Sequence, residues 1–486
     1  MQSDCSIIKW IKRNWIMVFI VLQPILDIIA FWTQSEAGTV SGYIRLAFMI
    51  ALCVYTALEK RSWKVYAVFA AAILLFSLHV LNCFRVGYIS AETDFKYVAK
   101  VIYLPLMAIC FCCLVEKEED TRQIFRGFMI ASLIEAAVIV ISWITGTYMP
   151  TYTVEGLGIS GWVIESNRCC HSDIISALAV FCACYSLDHN KSKAVFLIPA
   201  LIFVFLITNG TSACYLTLMA VTAGFPIFLF ARSMIFKEKP EKAQRALMAE
   251  LAGLFLLSLI IYPVTPRYKM EEIENSSYND NEQRFAEELS ELGYDIYSMS
   301  LEEKMNDPVV HEKLCLYYTK FVCSTVESMR DKYDMDRIIR AFHGTISGKT
   351  LGDTRIMKRM NAQFIFEDSD RLTRFLGFDF SNLTNGYEDL ENDWYAIFYY
   401  YGYLGVFVYI SMVVFLLMKI VMALFKNCHE VLNTLNFAIL LSFVILLGLA
   451  FFSGAVFRRP NASIYLALII SLIWYRTGAV QKNNMN

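Results

Sequence analysis

Ionisable residues stand where so apolar a chain should not carry them: Asp27, Arg45, His79, Glu135 and Asp173 are among those that fall inside long, predominantly hydrophobic stretches. A charge in hydrocarbon is costly, so such residues face an interior cavity or pair with one another. Arg45 and Asp173 lie near the predicted outer ends of their stretches, and Lys96, Lys100, Arg168, His171, Arg458 and Arg459 gather on the same side. Taken singly, each has a bland account as a snorkelling interfacial side chain or half of an intramembrane pair. Together they describe a basic vestibule at the outer headgroup level. Guanidinium groups there suit a phosphate or diphosphate headgroup, because arginine presents a planar fork of donors.

The elements that must position these residues are membrane helices. The 486 residues are 57% hydrophobic and 18% charged, with mean hydropathy +0.47, which excludes a water-soluble domain of this size. A bilayer core needs about 20 apolar residues per helix. Twelve stretches qualify: 14–33, 42–58, 65–83, 97–115, 127–146, 170–187, 194–209, 212–231, 247–264, 394–418, 433–453 and 461–475. The seventh and twelfth are short, so eleven to thirteen spans fit the pattern. Only Asn209 to Thr211 separates the seventh from the eighth, which requires a hairpin there. The expected fold is an all-α polytopic membrane protein.

Lys and Arg concentrate in alternate connections beginning with Lys9, Lys12 and Arg13 and ending with Arg476 and Lys482. By the positive-inside rule both termini are cytoplasmic, and residues 265–393 lie outside. The first apolar run lacks a small-residue cleavage site and is long enough to span, so it reads as a retained helix. The 14 Cys are mostly scattered in apolar segments, and no Cys or His spacing resembles a zinc site.

Three regions follow: helices in 1–264, a loop domain in 265–393, and helices with a cytoplasmic tail in 394–486. The loop carries 16 Lys and Arg against 26 Asp and Glu, a net charge of −10 in a chain whose total is −2. It is too long for a connector and contains helix grammar. Asp280 or Asn281 can cap a helix running to Gly293, Ser300 with Glu303 forms a capping box, and Asp307-Pro308 reads as an N-cap followed by proline at the first helical position. That last signal opens an amphipathic stretch through Val310, Leu314, Tyr317, Phe321 and Met329, and a further helix from about Asp334 can stop at Gly344. No internal repeat is visible.

Glu391-Asn392-Asp393-Trp394-Tyr395, followed by Gly402-Tyr403-Leu404-Gly405, resembles the signature that closes the large external loop in the O-antigen ligase and polysaccharide polymerase superfamily. Asn392, Gly402 and Gly405 have that signature's spacing. Arg355 and the stretch leading to Leu376-Gly377-Phe378 resemble the same family's arginine, amphipathic helix and closing glycine. Gly161 with Ser166-Asn167 is similar to its glycine and asparagine element, and Leu22-Gln23-Pro24-Ile25-Leu26-Asp27 to the first helix of some members. Two positions depart: the family's His is Glu391 here, and Ala213 replaces an arginine often found after the short hairpin.

The resemblance implies a GT-C-like helix bundle in the bacterial cytoplasmic membrane. It implies transfer of a glycan from a polyprenyl (undecaprenyl) diphosphate-linked oligosaccharide to a sugar hydroxyl acceptor, with neither metal nor cofactor. Arg355 and Glu391 would be catalytic, Glu391 taking the proton of the attacking hydroxyl. Arg168, Arg45, Arg267, Arg371, Arg374, Asn167 and Asn392 would bind diphosphate and glycan, the cations neutralising the departing diphosphate. Membrane lipid surrounds the chain, a chain-length regulator or flippase would be its protein partners, and no nucleic acid is expected.

Each site residue also has a plainer account. Glu391-Asn392-Asp393 can cap the following helix. Arg371 and Arg374 can pair with Asp368 and Asp370. Gly402 and Gly405 can allow close helix packing, and the aromatics from Trp394 to Tyr401 can form an interfacial belt. The competing functions are a lipid-linked oligosaccharide flippase or transporter, which should show internal pseudosymmetry, and a receptor or scaffold, which leaves the embedded charges unexplained.

Overall fold

The computed structural model describes residues 9–33, 39–163, 171–188, 197–323, 329, 332–382, 390–452, 454 and 456–483. Among these, all regular elements are helical apart from an isolated antiparallel bridge between Tyr152 and Leu157. The first nine helices are α1 Trp15–Trp32, α2 Thr39–Lys60, α3 Trp63–Val86, α4 Ala91–Leu114, α5 Glu118–Thr145, α6 His171–Asp188, α7 Leu197–Asn209, α8 Ser212–Phe236 and α9 Lys242–Ile261. Seven short or medium helices follow: α10 Pro266–Glu291, α11 Leu301–Asn306, α12 Pro308–Tyr318, α13 Met335–Ala341, α14 Gly348–Gly352, α15 Thr354–Asp368 and α16 Arg371–Leu376. The chain ends with α17 Asp393–Lys426, α18 Cys428–Val431, α19 Thr434–Phe452 and α20 Pro460–Asn483.

Ten helices among the described residues are long and apolar enough to cross a membrane, and the apolar stretches Ile174–Cys184 and Ile198–Asn209 are shorter. The protein is therefore a polytopic helical membrane protein. The twelfth stretch is not short: α20 continues to Asn483, well past the expected end at 475. The hairpin required between α7 and α8 turns on Gly210 (φ +71°), and the Thr211 hydroxyl caps α8 by accepting from the Cys214 N–H at 3.2 Å.

The chain divides into two compact units. The first comprises 1–74, 98–268 and 409–486. Within it α6 packs against α5, α7, α8, α19 and α20. Ala177, Leu178, Val180, Phe181 and Cys184 are all buried, as expected of a helix apolar on every side.

The second unit comprises 75–97 and 269–408, so a helical hairpin from the first half of the chain belongs with the loop domain. Its core unites Phe285 and Leu289 of α10, Val310, Leu314 and Tyr317 of α12, Ile338 and Ile339 of α13, and Met357, Met360 and Phe364 of α15. Met329 is also buried there, and Phe321 packs against its edge. The capping box at Ser300 and Glu303, the Asp307 cap before Pro308, and a helix between Asp334 and Gly344 all form.

The cap expected at Asp280 or Asn281 does not: both residues lie inside α10. That helix starts 14 residues earlier at Pro266, where the Thr265 hydroxyl accepts from the Tyr268 N–H at 3.3 Å. Thr265-Pro266 is the same signal as Asp307-Pro308, placed directly behind the apolar run of α9.

Candidate active site

The Asp353 carboxylate opens α15 by accepting from the Arg355 N–H at 2.9 Å. One face of this helix buries Met357, Met360 and Phe364 in the domain core, which leaves Arg355, Lys358 and Arg359, at helical spacing, on the other. Glu391 meets that face. Its carboxylate accepts from Arg355 Nε at 2.7 Å and stands 3.5 Å from Lys358 Nζ. Arg359 lies over the Tyr395 ring at 5.2 Å and donates to its hydroxyl at 3.3 Å. The Arg355 side chain is 57% exposed and that of Glu391 38%. Two cations thus meet the Glu391 carboxylate, with Arg359 beside them on Tyr395, and an exposed pair of this kind adds only about 0–1 kcal/mol.

Of Glu391-Asn392-Asp393, Asn392 supplies a cap of the following helix. Asn392 Oδ1 accepts from the Tyr395 N–H at 3.1 Å, the N-cap bond of α17, while the Glu391 side chain is committed to α15. Asp393 is buried.

Two glycines interlock the start of α17 with α16. Gly377 (φ +88°) packs so closely that a Cβ there would lie 1.9 Å from the Tyr400 carbonyl oxygen. Gly402 (φ +61°) breaks the helical dihedrals inside α17, and a Cβ there would lie 2.4 Å and 2.5 Å from the carbonyl oxygens of Phe375 and Arg374. The close packing expected of Gly402 is therefore against the end of α16. Of the aromatics, Tyr399 and Tyr400 are buried, and Phe380 stacks on Tyr97 at 3.9 Å.

The cations of α16 part company. Arg374 donates to the carbonyl oxygens of Phe366, Ser369 and Glu367, which closes the end of α15, while Arg371 is exposed. Neither pairs with Asp368 or Asp370 as expected, because other arginines arrive from outside the local sequence. Arg337 takes Asp368 at 2.9 Å, and Arg85 takes Asp370 at 2.6 Å. Asp370 also caps α16 through the Thr373 N–H. That bond, with Arg85, holds its carboxyl at about 2, below the ordinary 3.8.

The 75–97 hairpin supports this region. Asn82 donates to the Gly377 carbonyl at 3.0 Å, and Asp379 accepts from the N–H groups of Ile89 and Ser90. His79 Nδ1 lies 3.0 Å from the Leu376 carbonyl, which can only accept, so that nitrogen carries hydrogen. Its Nε2 faces Asp94 at 3.2 Å, and Asp94 also accepts from the Tyr88 hydroxyl and the Phe380 N–H.

A family model for O-antigen ligase like membrane protein matches residues 10–476. The chain belongs to this family. Its members are membrane glycan ligases and polymerases, glycosyltransferase-like enzymes acting on a lipid-linked oligosaccharide and a glycan acceptor. No curated protein matches the chain.

In this O-antigen ligase-like protein the remaining expected residues lie elsewhere. Arg45 is buried in the first unit, where it donates to Asp27 at 2.9 Å, to the Gln23 side chain at 2.9 Å and to the Gln23 carbonyl at 3.0 Å. Arg267, in the first turn of α10, also belongs to that unit and is half-buried. Ser166, Asn167 and Arg168 fall outside the described residues, as do the side chains of His171 and Asp173. Ala213, where an arginine is often found in the family, is buried in the first turn of α8.

Sequence reasoning missed Lys358 and Arg359. Their spacing from Arg355 was readable, since positions three and four apart share a helix face. It did not stand out, because the resemblance marked Arg355 alone.

Proposed function

We propose that this protein transfers an oligosaccharide from a polyprenyl diphosphate to a hydroxyl of a glycan acceptor, as a polymerase of bacterial polysaccharide biosynthesis. The reaction takes place at the outer face of the cytoplasmic membrane, with both termini inside and the loop domain outside. The observation that supports this reading is the α15 face that presents Arg355, Lys358 and Arg359, with Glu391 paired to the first two.

The donor's diphosphate displaces Glu391 from Arg355, because a diphosphate offers the guanidinium more charge and more acceptor oxygens than a carboxylate. Displacement binds the leaving group and frees the base in one movement. The acceptor hydroxyl oxygen then bonds to the donor's anomeric carbon, its proton passes to Glu391, and the carbon–oxygen bond to the diphosphate breaks with its electron pair on the leaving group. Arg355, Lys358 and Arg359 offset the negative charge that develops there. Arg371 offers a further exposed contact. The family assignment favours this enzyme over a flippase.

The test is reconstitution in lipid with a polyprenyl-diphosphate oligosaccharide and a chelator. The expected result is a product ladder with release of polyprenyl diphosphate. A single addition to a separate acceptor would make the protein a ligase. Donor translocation without any new glycosidic bond would sink the enzyme reading.

A further inference from the structure

No Cys or His spacing along the sequence resembles a zinc site, but folding brings together two groups of three potential ligands among the described residues: His79, Cys83 and Asp94, and His311, Cys315 and Asp336. In each, the His and Cys sit one helical turn apart and the carboxylate arrives from another helix. They differ in what the carboxylate has left to offer. Asp94 is fully buried and already accepts from His79, Tyr88 and Phe380. Asp336, on α13, accepts from His311 Nε2 at 2.7 Å and keeps 46% of its side chain exposed.

We propose that His311, Cys315 and Asp336 form a zinc-class divalent metal site that ties α12 to α13. Their ligand atoms lie within 4.8 Å of one another, with Cys315 Sγ 3.6 Å from His311 Nε2. Tetrahedral zinc, with bonds of about 2.0 Å to N and O and 2.3 Å to S, sets ligand atoms roughly 3.3–3.6 Å apart. The Cys–His separation already matches. The His–Asp pair needs to open by roughly half an ångström, which an exposed carboxylate can do by rotation. Imidazole, thiolate and carboxylate select zinc over calcium or magnesium, which want oxygen alone. Three protein ligands leave a fourth position for water.

The function inferred is structural. His311 and Asp336 are 25 positions apart, and a metal clip across such a span removes loop entropy from the unfolded chain. The site lies on α12 and α13 and uses none of the residues on the α15 face. The domain's net charge of −10 favours cation capture.

Cobalt(II) titration of the purified full-length protein tests this through the thiolate-to-cobalt charge-transfer band. One equivalent per chain should bind with that band, Cys315→Ser should abolish the band, Asp336→Asn should weaken binding at least about tenfold, and Cys83→Ser should change neither. No band, a band surviving Cys315→Ser, or a band lost in Cys83→Ser would each overturn the assignment. A second measurement needs no variant: Zn2+ should slow maleimide alkylation of the Cys315 peptide in the wild-type protein, and an unchanged rate is equally fatal to the proposal.

Discussion

Two arginine–carboxylate pairs, Arg45–Asp27 and Arg355–Glu391, contrast in burial. Arg45 and Asp27 lie within the membrane helices with side chains only 4% and 14% exposed, and Gln23 supplies two more acceptors to the same guanidinium. Arg355 and Glu391 are shorter in separation, 2.7 Å against 2.9 Å, yet 57% and 38% exposed, with Lys358 also 3.5 Å from the carboxylate. The first pair is buried. The second is open to solvent, with Lys358 as a second cation on the same carboxylate. Distance alone therefore says little about what a pair is for. Burial and the local charge balance decide whether an arginine is committed to structure or available to an anion.

The largest effect should fall on the buried pair. Arg45→Ala removes the guanidinium that holds Asp27 and Gln23 in a low-dielectric site, and breaking a buried pair from one side costs about 3–5 kcal/mol. Thermal unfolding in detergent should register that loss, and pairing Arg45→Met with Asp27→Leu should recover most of it. The contrast fails if Arg45→Ala is no more destabilising than Arg355→Ala.

The open pair should behave in the opposite way. Arg355→Ala and Glu391→Gln should each leave stability within about 1 kcal/mol of wild type. Turnover should fall about 10²–10³-fold, the range found when one group stabilising developing charge is removed. Donor binding should survive Glu391→Gln and weaken in Arg355→Ala. Full activity in Glu391→Gln would remove its role as proton acceptor and leave it a partner for Arg355 only.

A smaller effect is expected at the glycine interlock. Gly402→Ala adds a Cβ that meets carbonyl oxygens of Phe375 and Arg374 at 2.4–2.5 Å and holds alanine at φ +61°. Strain of this kind costs about 1–3 kcal/mol. It should appear as lost protection of α16 amides in hydrogen exchange, while the α12 core keeps its protection. Uniform loss across the domain would mean that α16 docking and the domain core are one cooperative unit.

What could be read from the sequence was local or periodic. Apolar runs gave the membrane helices, and Ser300 with Glu303 and Asp307-Pro308 gave two helix starts, because a cap needs only residues three or four apart. Thr265-Pro266 was hidden by the apolar run before it, which drew attention to a membrane exit instead of a helix entry. Pairs made by folding were beyond reach. Arg85 meets Asp370 285 positions away, and Asn82 meets Gly377 295 away. Nothing in either segment marks the other. Arg355 and Glu391 came from the family pattern, and their mutual contact from neither source. The same division explains the His-Cys-Asp group: His311 and Cys315 four apart form no zinc spacing by themselves, and nothing local marks the aspartate that completes the group.

The smallest predicted effect concerns Asp370, an exposed carboxylate that, unlike Glu391, is tied by its own helix. With its carboxyl at about 2 in the fold against an ordinary 3.8, its ionised form favours the folded state. The contribution is fully present above about pH 4 and is lost as pH falls through about 2. Comparing Thr373 amide exchange in wild type and Asp370→Asn at each pH cancels the intrinsic pH dependence of exchange. Protection in the wild type should exceed that in the variant at pH 5, and the gap should close between pH 4 and 2. A constant gap would assign the cap to hydrogen-bond geometry alone. Raising salt at pH 5 then separates the two partners of Asp370: the Arg85 share should be screened, while the Thr373 bond inside α16 should persist.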